Sequence, residues 1–69
     1  MNLVFTVENV VVDNIDAMTI KVYKDKAKYN LLHTYLVNNS EEGFMDFMND
    51  VKDRFDPDTL TLLDAVTVQ

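Results

Sequence analysis

The chain has 69 residues, 48% of them hydrophobic, with no cysteine, one glycine, one proline and twelve acids against six bases, for a net charge of −6. That length allows a single domain over residues 1–69, and the missing cysteines exclude disulfides and thiolate metal sites. The acidic balance argues against nucleic acid or an anionic membrane as a direct partner, and no apolar run approaches the ~18 residues of a membrane span, so a cytoplasmic protein is expected.

A domain this small buries only about 60% of the surface that its unfolded chain exposes, and domains of this size usually add a staple. With disulfides excluded and a rich apolar supply, the expected staple is a second copy, a homodimer. The scarcity of glycine and proline speaks against disorder and long loops.

Residues 2–12, NLVFTVENVVV, are rich in β-branched and aromatic side chains. Leu3, Phe5 and Val7 alternate with Val4, Thr6 and Glu8, the pattern of a half-buried strand. Val10, Val11 and Val12 break the alternation, which implies a bulge near Glu8 and Asn9 or cover on both faces. Residues 17–24, AMTIKVYK, alternate again, with Met18, Ile20 and Val22 on one face. A hairpin turning at Asn14-Ile15 sets Val7 opposite Val22, Val11 opposite Met18 and Glu8 opposite Lys21, a favourable cross-strand pair.

Residues 27–37, AKYNLLHTYLV, read two ways. As a helix they carry an apolar stripe of Leu31, Leu32, Tyr35 and Leu36, with Asp25 as N-cap. As a strand they place Tyr29, Leu31, His33, Tyr35 and Val37 on one face. A tight turn at Asp25-Lys26 then sets Tyr29 against Val22 and Leu31 against Ile20. The aromatics and this register favour the strand.

Ser40–Phe55 reads as an amphipathic helix. At about 100° per residue, Phe44, Phe47, Met48, Val51 and Phe55 share one face, while Glu42, Asp46, Asp50 and Asp53 occupy the other. Ser40 is a good N-cap, and Glu41 and Glu42 suit the positive end of the helix dipole. Gly43 costs up to about 1 kcal/mol relative to alanine in a helix interior. Asp56-Pro57 ends the helix. Residues 59–68 form a last strand with Leu60, Leu62, Val66 and Val68 in phase and a bulge or strand end near Asp64. The order β-β-β-α-β predicts an α+β fold, a four-stranded, mostly antiparallel sheet with the helix on one face. The second face, with Val10, Thr19, Tyr23, Leu32 and Leu36, or a sheet edge, is then the candidate for dimer contact.

No catalytic set is visible. One histidine and one serine are present, His33 in an apolar strand and Ser40 in a capping role, so an enzyme is not expected. Zinc would need carboxylates alone, and the Asp53, Asp56 and Asp58 region lacks the calcium-loop spacing and its turn glycine. A single glycine rules out a glycine-rich phosphate loop. No cofactor or metal is implied.

Charge is unevenly spread. Residues 21–28 carry +3 and residues 41–69 carry −6. Like charges at i,i+4 destabilise a helix by roughly 0.2–0.5 kcal/mol per pair, and Glu42-Asp46 and Asp46-Asp50 are two such pairs without an interleaved lysine. Their spacing of about 6 Å along the helix is similar to that of neighbouring phosphates. In its short length, low pI, acidic helix on a small sheet and lack of a catalytic set, the chain resembles the small phage-encoded inhibitors that imitate DNA. The resemblance is one of class and implies a basic host partner, for example a histone-like nucleoid protein or a nuclease, in a bacterial cytoplasm. The acidic residues Glu41, Glu42, Asp46, Asp50, Asp53, Asp56 and Asp58 are the candidate partner-binding set. The competing reading is a protein-interaction or assembly module working through an apolar sheet face.

Overall fold

Alternating β-branched and aromatic residues extend the first part of the chain, which turns back at two residues that tolerate positive φ. In the computed structural model, which describes residues 1–68, β1 (Asn2–Val12) pairs antiparallel with β2 (Ile15–Tyr23). Asp13 and Asn14 form the turn at φ 52° and 65°, as a type I′ hairpin turn requires. β3 (Leu31–Asn38) pairs antiparallel with β2. α1 (Glu41–Phe55) then runs back along the sheet, so β4 (Thr59–Thr67) starts where β1 starts and lies parallel to it. The strand order is β3-β2-β1-β4. The fold is therefore α+β, β-β-β-α-β, with a mixed sheet in which only the β1–β4 pairing is parallel.

The registers differ from those expected. With the turn at Asp13-Asn14 rather than Asn14-Ile15, Val7 faces Ile20, Glu8 faces Thr19 and Asn9 faces Met18. The slip from the expected pairs is even, so every side chain keeps its face, and the left-handed preference of Asx residues accounts for the turn position. No tight turn forms at Asp25-Lys26. Residues 24–30 make a loop instead, closed by the Lys24 N–H donating to the Asn30 carbonyl at 3.0 Å and by Asn30 Nδ2 donating to the Asp25 carboxylate at 3.1 Å. Tyr29 lies in this loop, 87% exposed, and Ile20 faces Tyr35 while Val22 faces His33. Nor does β1 bulge near Glu8 and Asn9: its pairing with β2 runs unbroken from Val4 to Val12, and Val11 and Val12 are exposed.

Both irregularities fall on the edge strands. In β3 the register shifts between Val22 and Tyr23, leaving Leu32 as the extra residue. That shift turns Leu32 onto the core and leaves Leu31 exposed, so Leu32 does not belong to the second face. In β4 the extra residue is Leu63, beside the Asp64 at which an irregularity was expected. It moves Val66 to the opposite face from Leu60 and Leu62, which breaks their expected phase.

The core joins Leu3, Phe5 and Val7 of β1 to Met18, Ile20 and Val22 of β2, Tyr35 of β3 and Phe47 and Val51 of α1. Phe47 is wholly buried, its ring 5.3 Å from Phe5 and 5.1 Å edge-on to Tyr35. Phe44 and Phe55 pack at the margin. Met48, expected in the core, is 37% exposed. The helix backbone runs closest to β3 and stands off from β4, so Met48 overhangs a shallow groove against Pro57 and Leu60.

Local chemistry sets the helix ends. The Gly43 N–H donates to Ser40 Oγ at 3.1 Å, the capping bond that satisfies a free helix donor. Asp56 adopts the left-handed region at φ 45°, its N–H reaching the Val51 and Lys52 carbonyls, and Pro57 prevents continuation. Gly43 has a tertiary reason: a Cβ there would collide with the Asn38 carbonyl oxygen, so the residue permits close approach of α1 to the end of β3.

Candidate partner-binding surface

The acidic residues of α1 divide by their position around the helix. Phe47 and Val51 define the buried side, and Glu42, Asp46 and Asp53 lie within about 40° of one another on the far side. All three are exposed, as is Glu41. Asp50 is turned toward β3. It accepts a 2.5 Å hydrogen bond from the Tyr35 hydroxyl and a 3.0 Å bond from Arg54 Nε, an i,i+4 ion pair. These two donors, Arg54 first and Tyr35 second, hold the Asp50 carboxyl below the usual carboxylate range. Burial, and then the Asp50 contact, push the Tyr35 hydroxyl up to about 12. His33 packs edge-on against Tyr35 at 4.5 Å, so the lone histidine is part of this packed cluster.

Asp58 accepts from the Met1 ammonium at 2.7 Å, which lowers its carboxyl as well. Asp56 is exposed at the helix end. Of the seven candidate carboxylates, Glu41, Glu42, Asp46, Asp53 and Asp56 are exposed and have no ion-pair partner among the described residues, while Asp50 and Asp58 each have a cationic partner.

The fold adds acids that helix periodicity could not reveal. The β1–β2 turn and the start of α1 lie at the same end of the sheet, tied by the Asn39 N–H donating to the Asp16 carbonyl at 3.1 Å. Asp13 and Asp16 therefore join Glu41, Glu42 and Asp46 at one end of the molecule. Lys24, Lys26 and Lys28 lie in the loop at the other end, with Lys52 and Arg54 in the last turn of α1. Asp13, Glu42 and Asp46 rim an open groove of about 480 Å³ whose walls include Val12, Ile15 and Leu36. Only the alternation of the hairpin and the return of β3 to its base would have hinted at this in the sequence.

Comparison with known protein families, curated proteins and solved structures finds no match to this chain. The functional reading therefore rests on the surface itself. Among the described residues, no three acidic or imidazole side chains are grouped so as to hold a metal ion, and no helix is long and apolar enough to cross a membrane.

Proposed function

We infer that this protein is a non-enzymatic acidic binding protein, a DNA mimic that occupies the nucleic-acid-binding surface of a basic protein. The observation that supports the reading is the one-sided placement of free carboxylates: Asp13, Asp16, Glu41, Glu42 and Asp46 at one end with no lysine or arginine among them, continued along α1 by Asp53. A solvated surface serving solubility alone is better met by interspersed signs. Spaced carboxylates of one sign on a rigid element instead present what a phosphate-binding surface recognises. A histone-like nucleoid protein of a phage-infected bacterium is the class of partner proposed, and a homodimer would present two such surfaces.

The test is partner capture from bacterial lysate by the wild type and by a Glu42→Gln, Asp46→Asn, Asp53→Asn variant. Among the described residues none of the three side chains has a hydrogen bond or ion pair, so the variant should fold normally. The reading predicts that a basic nucleic-acid-binding protein is retained by the wild type, released as salt rises from about 0.05 to 0.5 M, and lost in the variant. Equal capture by both would refute it.

A further inference from the structure

The helix covers one face of the sheet, and the opposite face has no cover. From the registers, that open face carries Val10 and Val12 of β1, Ile15 and Tyr23 of β2, Leu31 and Leu36 of β3 and Val66 of β4, around Val4 and Ala17, which their neighbours already bury. Threonines fill most of the intervening positions, and the only charges are Glu8, Lys21 and Asp64. Leu36 is 64% exposed and Ile15 60%. An apolar face running across four strands is more than the scattered exposed side chains of an ordinary surface.

We propose that the occupant of this face is a second copy of the same chain, packed face to face so that two four-stranded sheets form a sandwich with the helices outside. The proposal rests on the dimer part of the reading above and not on the carboxylates; Val12, Ile15 and Leu36 border both surfaces, but self-association and partner capture are read by different measurements, so the two can fail separately. Charge and the sheet edges support it.

The charge pattern is self-complementary. Glu8 and Lys21 are diagonal neighbours on the two central strands, and among the described residues neither has an ion-pair partner within the chain. A two-fold axis running between β1 and β2 brings Glu8 of each copy over the β2 strand of the other, within reach of its Lys21. Such a pair sets register more than affinity, because desolvation offsets most of the attraction. The edges disfavour the alternative of strand-to-strand pairing: β3 and β4 each carry a bulge, at Leu32 and Leu63, and Asp64 stands in mid-edge, devices that block edge association.

Sedimentation equilibrium on the full chain tests this. The wild type should weigh twice 8.0 kDa at 100 µM, and Leu36→Asp and Thr19→Lys, measured separately, should each weigh 8.0 kDa with an unchanged circular dichroism spectrum. Neither residue belongs to the core, and a second substitution guards against one variant failing to fold. Glu8→Lys and Lys21→Glu should each weaken dimerisation about tenfold, and the double exchange should restore it. A wild type of 8.0 kDa, a dimer that survives both face substitutions, or a double exchange that fails to restore pairing would overturn the proposal.

Discussion

Tyr35 joins the core to the acidic helix. Its ring packs between Phe47 and His33, and its hydroxyl donates to Asp50, which Arg54 also holds. Tyr35→Phe keeps the ring and removes the hydrogen bond, so it should cost about 1 kcal/mol in urea denaturation. The Asp50 carboxyl should also titrate higher by NMR. Because the folded state depresses Asp50, its contribution is present above the unfolded carboxylate value of about 3.9 and is lost as pH falls through the folded one. Tyr35 works in the other direction. Its raised value means that its contribution is full below about 10 and is lost as pH rises toward 12. A pH series of the wild type and Tyr35→Phe should therefore differ most between the acid and alkaline limbs. Phe47→Ala removes the one large aromatic that is wholly buried and should cost about 3–5 kcal/mol, enough to unfold most of a domain this size at room temperature.

At the scale of the elements, two positions invert what propensity would suggest. Alanine is the better helix former by about 1 kcal/mol, yet Gly43→Ala should lower the thermal midpoint because its Cβ meets the Asn38 backbone rather than a yielding side chain. At the β1–β2 turn, Asn14 holds φ 65°, a conformation glycine adopts without steric penalty. Asn14→Gly gives the Asp-Gly pair favoured in such turns; relief of the left-handed strain should outweigh the added freedom of the unfolded chain, read as a rise in the denaturant midpoint at constant m-value. The bulges in β3 and β4 belong to this scale as well. Each shifts one residue out of the ladder: the first turns Leu32 and not Leu31 onto the core, and the second puts Val66 on the opposite face from Leu60, the β4 side chain that packs against the core.

At the scale of the whole molecule, the helix lies toward β3 and leaves one face of the sheet, and much of β4, uncovered. Charge divides along the strand direction, with the hairpin turn and the start of α1 acidic and the lysine loop at the far end. Capture of a basic partner at the acidic end should fall steeply with ionic strength. Association through the open face, being apolar, should be nearly unaffected by salt or strengthened by sulfate. Salt therefore separates the two surfaces in a single titration read by both capture and sedimentation.

What the sequence determined by itself was set by neighbours along the chain. The period-2 alternation of Leu3, Phe5 and Val7, the 3.6-period stripe through Phe44, Phe47 and Val51, the Ser40 cap and the Asp56-Pro57 stop marked the elements and their faces, and the element order led to the α+β sheet with one helix. The tertiary structure alone decided the partners: the pairing of Val7 with Ile20, the parallel insertion of β4 beside β1, the tether of Asp50 to Tyr35 and the meeting of Asp13 and Asp16 with the start of α1. The physical reason is range. Periodicity and caps are written within a few residues, whereas register depends on which turn closes, and a bulge of one residue reverses every face beyond it. The acidic helix was legible from its own spacing, but how much of it is free, and which other carboxylates join it, followed only when the chain had returned on itself.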